Sequence, residues 1–335
     1  LVKIGLISFG VFLISLLLQY TILALSKKYQ LFIDSPKESK PQAFHSDNIP
    51  RSGGLGIAIV LLFFLPTPLG WKLLLSLFLA FLSGIFEDFS RAIKPEVRLI
   101  LQFIAAICAV LLTHSVMVYF GFGITVPYIV GAFLSILGIV GLMNAVNFID
   151  GFNGLASGIV LLMLLAFGIV AYQVHNFDVV YIASVIFASV LAFFLFNFPH
   201  GKIFLGDGGA YLLGAVVAII GAFLAANYVL VSPWFVLAVL IYPVWELFFS
   251  IIRKLRLGNS PFQPDSRHLH MLVFRHITHS NPFTALMILG VCAPFILLPT
   301  LYANNSKANF LTVILFIIVY MLSYSYLIKK EKKQS

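Results

Sequence analysis

Eleven apolar runs constrain this chain more than any other feature of it. They cover about residues 1–25, 53–66, 71–86, 97–114, 127–148, 154–174, 179–198, 210–228, 234–252, 283–301 and 308–328. A hydrocarbon core of about 30 Å offers no water to backbone polar groups, so each run must satisfy its own hydrogen bonds, as a helix does. The runs are continuous rather than alternating, which argues against a barrel. The expectation is an all-α polytopic integral membrane protein of about eleven transmembrane helices, forming a single transmembrane helical domain over 1–335. Runs 53–66 and 71–86 are short and separated only by Pro66-Thr67-Pro68-Leu69-Gly70. Ala24-Leu25-Ser26 has the form of a signal-peptidase site. The run before it is too long for a signal peptide and Lys27-Lys28 follow, so it reads as an uncleaved span.

The bases give the orientation. Lys27, Lys28, Lys37, Lys40, Arg51, Arg91, Lys94, Arg98, Lys202, Arg253, Lys254, Arg256, Arg267, Arg275, Lys329, Lys330, Lys332 and Lys333 fall in loops of one side, against Lys3, Lys72 and Lys307 on the other. Eighteen against three makes the first side cytoplasmic, with the N-terminus outside and the C-terminus inside, an alternation that an odd number of spans preserves. The net charge of +9 is thereby accounted for with no nucleic-acid partner. Most acids share the basic side: Asp34, Glu38, Asp47, Glu87, Asp88, Glu96, Asp150, Asp207, Asp265 and Glu331, with Asp178 opposite and Glu246 within a span. Candidate catalytic loops lie near 26–52, 87–98, 147–154, 199–210 and 253–282. Cys108 and Cys292 are isolated in apolar runs and read as small buried hydrophobes.

Four polar residues at every third position, Asn144, Asn147, Asp150 and Asn153, interrupt the fifth apolar run. Helical neighbours at i and i+3 would form one polar strip, ending where Gly151 and Gly154 loosen the backbone. Amides and a carboxylate at that place are either interhelical hydrogen bonds or a functional site, and packing alone does not require Asp150. Glu87-Asp88 ends the third run, where carboxylates oppose the helix dipole. It is either an ion pair from Glu87 to Arg91 or a base or metal-facing pair at the membrane surface.

Lys202-Ile203-Phe204-Leu205-Gly206-Asp207-Gly208-Gly209 opens the eighth run. The free N–H groups of a helix start can hold a diphosphate, with Asp207 as a Mg²⁺ ligand; the alternative is a locally satisfied N-cap. Arg267, His268 and His270 suit phosphate binding better than zinc, because nothing completes a tetrahedral set. The first basic loop holds His45 and Pro50-Arg51-Ser52-Gly53-Gly54, where Arg51 either pairs with phosphate or snorkels at the interface. Glu246, following Pro243, is either packed and hydrogen-bonded or lines a groove.

Together, Pro50-Arg51-Ser52-Gly53-Gly54, Glu87-Asp88, the 144–154 segment, Phe204-Leu205-Gly206-Asp207-Gly208-Gly209 and His268-Leu269-His270 resemble the polyprenyl-phosphate N-acetylhexosamine-1-phosphate transferase family. The resemblance covers about Asp34 to His270. It implies transfer of an N-acetylhexosamine-1-phosphate from a UDP-N-acetylhexosamine to undecaprenyl phosphate, releasing UMP, with Mg²⁺ (or Mn²⁺). It further implies a multi-pass enzyme of the bacterial cytoplasmic (inner) membrane whose site faces the cytoplasm at the bilayer surface, with a homodimer possible. By the family pattern Asp88 is a catalytic base or lipid-phosphate activator beside Glu87, and Asp207 is the metal ligand. Asn147, Asp150 and Asn153 form the nucleotide-binding and catalytic strip. His268 and His270 form the histidine loop, with Arg51, His45, Lys202 and Arg267 as further substrate-binding candidates.

Two departures stand out. Glu87 replaces the first acid of an Asp-Asp pair, and Asn153 replaces the second acid of Asp-Gly-x-Asp-Gly, which leaves Asp150 as the key carboxylate of that segment. The absence of consecutive histidines favours the glycan-initiating N-acetylglucosamine-1-phosphate branch over the muramoyl-pentapeptide branch. The competing readings are a polytopic transporter, whose polar residues would sit at mid-bilayer, and a catalytically lapsed scaffold.

Overall fold

The computed structural model describes residues 1–34, 49–90, 94–258, 260 and 267–334; His45, Arg91 and Asp265 lie outside them. Among the described residues the apolar runs fold as helices: α1 (Val2–Tyr29), α2 (Gly53–Val60), α3 (Pro68–Ser90), α4 (Pro95–Thr113), α5 (Tyr128–Ile149), α6 (Leu155–Gln173), α7 (Phe177–Asn197), α8 (Gly206–Asn227), α9 (Pro233–Arg256), α11 (Asn281–Leu297) and α12 (Ser306–Gln334). One short non-spanning helix, α10 (Leu269–Val273), precedes α11. A two-residue antiparallel pairing joins β1 (Ile33–Asp34) to β2 (Ile49–Pro50).

Ten of these helices are long and apolar enough to cross a membrane. The eleventh run is present but short: α2 continues as a 3₁₀ turn, Leu61–Phe64. Together they reach only about 20 Å at ordinary helical rise. They still join the two ends of the bundle. The Gly53 and Gly54 N–H groups donate to the Phe204 and Leu205 carbonyls, while at the other end the Tyr181 hydroxyl donates to the Phe63 carbonyl. Where eleven spans were expected there are thus, among the described residues, ten helices long enough to cross and one shorter apolar segment.

Helix α8 is the axis of the bundle, buried along nearly its whole length, whereas α1 and α12 are peripheral. Its small residues permit this, since apolar helices in lipid gain by close van der Waals approach rather than by leaving water. The closest approach is to α3. A Cβ on Gly84 would collide with the Gly208 nitrogen and the Asp207 carbonyl carbon, so only glycine lets α3 pass the start of α8. One helical turn later on the same face stands Asp88. At the opposite end α3 is itself capped, with the Leu69 N–H donating to Asp178 Oδ2 at 3.3 Å, a favourable place for a carboxylate. The core is one apolar cluster drawn from nearly all the helices.

Candidate active site

The start of α8 collects the acids. Asp88 Oδ1 accepts from the Asp207 N–H and Oδ2 from the Gly208 N–H, both at 2.9 Å. Asp88 opposes the dipole of its own helix but terminates that of α8, which explains a carboxylate at a helix C-terminus. Two of the N–H groups expected to cradle a diphosphate are thus already engaged by protein. Asp88 is buried, and this geometry makes it the group that fixes Asp207 in place. Glu87, the preceding residue, is only partly exposed.

Asp207 does not cap its own helix. Its Oδ1 accepts from Asn147 Nδ2 at 3.1 Å and its Oδ2 meets Arg98 Nη1 at 3.1 Å. Asp207 keeps about a fifth of its side chain exposed (23%). It is therefore the carboxylate held open to solvent by surrounding protein.

The polar strip expected on α5 is divided by the end of the helix. Asn144 and Asn147 lie on α5, but the helix stops at Ile149, and Asp150 to Asn153 form the turn into α6. Gly154 has φ +81°, the left-handed conformation that favours glycine and closes that turn. Asn144 takes the structural alternative, donating from Nδ2 to Gln102 Oε1 on α4 at 2.8 Å. Asn153 bonds elsewhere: its Nδ2 donates to the Pro199 carbonyl at 3.0 Å and its N–H to Asn281 Oδ1. The substrate-binding expectation for Asn153 thus meets a residue that ties two loops together. Asp150 remains in electrostatic reach of the acids. Surrounding protein strips water from it and Asp207 repels it, pushing its carboxyl up to about 7 against the pull of Arg51.

Arg51 is half-buried and its charge is felt by both Asp88 and Asp150, so it belongs to the site and does not snorkel. The backbone explains its place, because Phe204 N–H donates to the Pro50 carbonyl at 2.8 Å while Gly53 N–H returns to Phe204. Lys202 is exposed just ahead of this pairing.

His268 and His270 are fully buried, not displayed on a solvated loop. Their rings stack in parallel, 5.5 Å apart with an interplanar angle of 3°. His268 leans on Phe148 and His270 on Phe152. Both Nδ1 atoms have partners, Glu246 Oε1 at 2.9 Å and the Tyr242 hydroxyl at 3.2 Å. Both Nε2 atoms are buried with none among the described residues, and the Nε2 of His270 faces Gly151. Burial, reinforced by His268 and opposed by Glu246, pushes the His270 imidazole down to about 3, so it is neutral. Arg267 is half exposed and lies 3.8 Å from Glu331 on α12.

Comparison with known proteins agrees with this geometry. The model of glycosyl transferase family 4 matches residues 71–225. The chain is 30% identical over 264 residues to the undecaprenyl-phosphate alpha-N-acetylglucosaminyl 1-phosphate transferase of Thermotoga maritima, covering 77% of this chain and 78% of that protein. The chain belongs to this family. It is also 28% identical over 299 residues to a probable undecaprenyl-phosphate N-acetylglucosaminyl 1-phosphate transferase of Bacillus subtilis, covering 83% and 81%. A phospho-N-acetylmuramoyl-pentapeptide-transferase of Streptococcus agalactiae is 35% identical, but over 157 residues, 45% and 46% of the two chains. The family match takes in Glu87-Asp88, the 144–154 segment and Asp207, and leaves Arg51 and the histidine pair outside it.

Three residues of the site were not singled out by motif. Arg98 and Gln102 lie one turn apart on α4 and meet Asp207 and Asn144, a polar i, i+4 spacing readable in the sequence. Tyr320 donates to Glu246 Oε2 at 2.8 Å from α12, and nothing local in the sequence marks it.

The donor set can be weighed for a divalent ion. Among the described residues no three His, Cys, Asp or Glu side chains form a ready metal cage. Mg²⁺ needs less: one or two carboxylates, completed by substrate phosphate oxygens and water. Asp207, with the mutually repelling Asp150 beside it, offers hard oxygen donors whose repulsion a cation would relieve. The residues fit such an ion.

Proposed function

We propose that this protein transfers an N-acetylhexosamine-1-phosphate from a UDP-N-acetylhexosamine to undecaprenyl phosphate at the cytoplasmic face of a bacterial inner membrane, initiating a cell-surface glycan. The observation that carries the reading is the convergence of Asp88, Asp150, Asp207, Asn147 and Arg51, from four separate parts of the chain, at the start of α8. The named activities of the relatives from Thermotoga maritima and Bacillus subtilis support the same chemistry.

In this reaction an oxygen of the lipid phosphate attacks the sugar-bearing phosphorus, the bond to the second phosphate breaks, and UMP leaves. Both partners are anionic, so charge neutralisation and in-line positioning are the main requirements. Asp207 and Asp150 would hold Mg²⁺, which neutralises the diphosphate when bound. Arg51 supplies a fixed positive charge beside them, and Asn147 orients Asp207. The nucleophile is already an oxyanion near neutral pH, its second pKa being about 6, so no strong base is needed. Asp88 accordingly acts by holding Asp207 rather than by removing a proton.

Purified protein in lipid nanodiscs, given undecaprenyl phosphate, Mg²⁺ and a panel of UDP-sugars, is expected to release UMP with a UDP-N-acetylhexosamine. No release with any donor, or release unchanged by Asp207→Ala, overturns the proposal.

A further inference from the structure

Glu246 is the one acid placed within an apolar run, and it is fully buried in α9, three residues after Pro243. An unpaired charge there would cost several kcal/mol, so its partners are informative. Three donors meet it: His268 Nδ1 at 2.9 Å, the Leu269 N–H at 3.1 Å and the Tyr320 hydroxyl at 2.8 Å. An ionised carboxylate only accepts, which requires the proton of His268 to reside on Nδ1. The other nitrogen, Nε2, is buried without a partner among the described residues, as is that of the parallel His270. Structural pairing alone accounts for the two Nδ1 atoms and leaves the two Nε2 atoms orphaned, in rings that pack on Phe148 and Phe152 at either side of Asp150.

We propose that Glu246 is a positioning residue of the transfer: it holds the His268 proton on Nδ1 and fixes the aim of the ring, so that Nε2 faces the substrate. This rests on the transfer reading above. Tyr242 performs the neutral counterpart of the task for His270, orienting the ring without supplying charge. The pair thus presents two oriented imidazoles to the Asp150–Gly154 turn, one held by a carboxylate and one by a phenol hydroxyl. A carboxylate that fixes the far nitrogen of a working histidine is a recurring device for setting which nitrogen faces the substrate.

The test is a double-mutant cycle on the full chain in nanodiscs, reading UMP release, together with proton NMR of the parent and variants. Glu246→Gln keeps size and hydrogen-bonding capacity but removes the charge. Glu246→Gln and His268→Asn are each expected to lower kcat/KM on the order of tenfold to a hundredfold. The double variant should be no worse than the weaker single, because the two act as one unit. Glu246→Asp, which keeps the charge, should recover part of the loss, and it enters the cycle if Glu246→Gln fails to fold. Losses that multiply, or a Glu246→Gln enzyme equal to the parent, overturn the proposal. A strongly downfield Nδ1–H proton, assigned by its disappearance in His268→Asn, should be present in the parent and lost in Glu246→Gln. Its persistence at the parent position also overturns the proposal. The resonance needs no turnover, so a parent that releases no UMP refutes the transfer reading while this measurement still decides the role of Glu246.

Discussion

Two carboxylate-bearing regions flank the Asp150–Gly154 turn, and they solve the problem of charge in a membrane protein in opposite ways. Around Glu246 one acid is surrounded by three donors, and its charge is fully accounted for. Around Asp207 three acids gather, with Arg98, Arg51 and Asn147 to offset them, and burial, then repulsion by Asp207, pushes the Asp150 carboxyl up to about 7. The first arrangement is complete as it stands. The second sets acids against one another, a repulsion that a cation would relieve. A buried acid is therefore not by itself a sign of a metal or substrate site; what distinguishes the two is whether protein donors satisfy it.

The largest effect expected from breaking this contrast is at Asp207. Asp207→Ala should lower kcat by roughly 10³-fold, measured as UMP release, because it removes the open oxygen donors. Asp88→Asn should cost less, roughly 10- to 100-fold, since an amide oxygen still accepts one of the two N–H bonds. An Asp88→Asn loss equal to or greater than that of Asp207→Ala would make Asp88 a reacting group. Next comes the spacing that brings the acids together. Gly84→Ala should displace the start of α8, cost about 1–3 kcal/mol by overpacking and reduce activity about tenfold. Thermal unfolding and turnover of the same sample would separate the two effects.

A smaller effect sharpens the comparison through pH. Asp150 has a folded value raised to about 7, so the folded state holds its proton more tightly than the unfolded chain. In metal-free buffer its contribution to stability is complete below about 4 and is lost as pH rises through about 7. His270 runs the other way. Its folded value is lowered to about 3, so its contribution is complete above about 6.5 and is lost as pH falls toward 3. Across pH 4–8, Asp150→Asn should remove a fall in melting temperature between about pH 4 and 7, and His270→Asn should remove a rise between about pH 4 and 6.5. Added Mg²⁺ should weaken only the first slope. The smallest effect is expected at Asn144→Ala, which breaks an interhelical bond worth about 0.6 kcal/mol and should leave turnover at the parent level.

Much of the site was legible as residue types. Asp207 in its glycine-rich start, Asp150 and Arg51 were all readable, and the structure brings them together. Their tasks were less so. Asp88 read as a base because its own helix gives no reason for it; the reason lies 119 residues away, in the backbone of α8. The polar strip read as one feature because a period of three is helical, yet α5 ends inside it and sends Asn144, Asn147 and Asn153 to three different partners. His268 and His270 read as loop residues because the surrounding segment is polar, and packing against α5 and α9 buried them.

The chain by itself determined the number of apolar segments, their helical form and the side on which the bases gather. Each of these follows from the cost of exposing backbone or charge to lipid, which every segment must meet locally. Tertiary packing alone decided which acid acquires a counter-charge and which is set against other acids. That outcome depends on helices far apart in sequence approaching to within hydrogen-bond distance, and no local pattern encodes it. The same bilayer physics that made the spans readable leaves the tasks of Asp88 and Glu246 undecided until their neighbours are known.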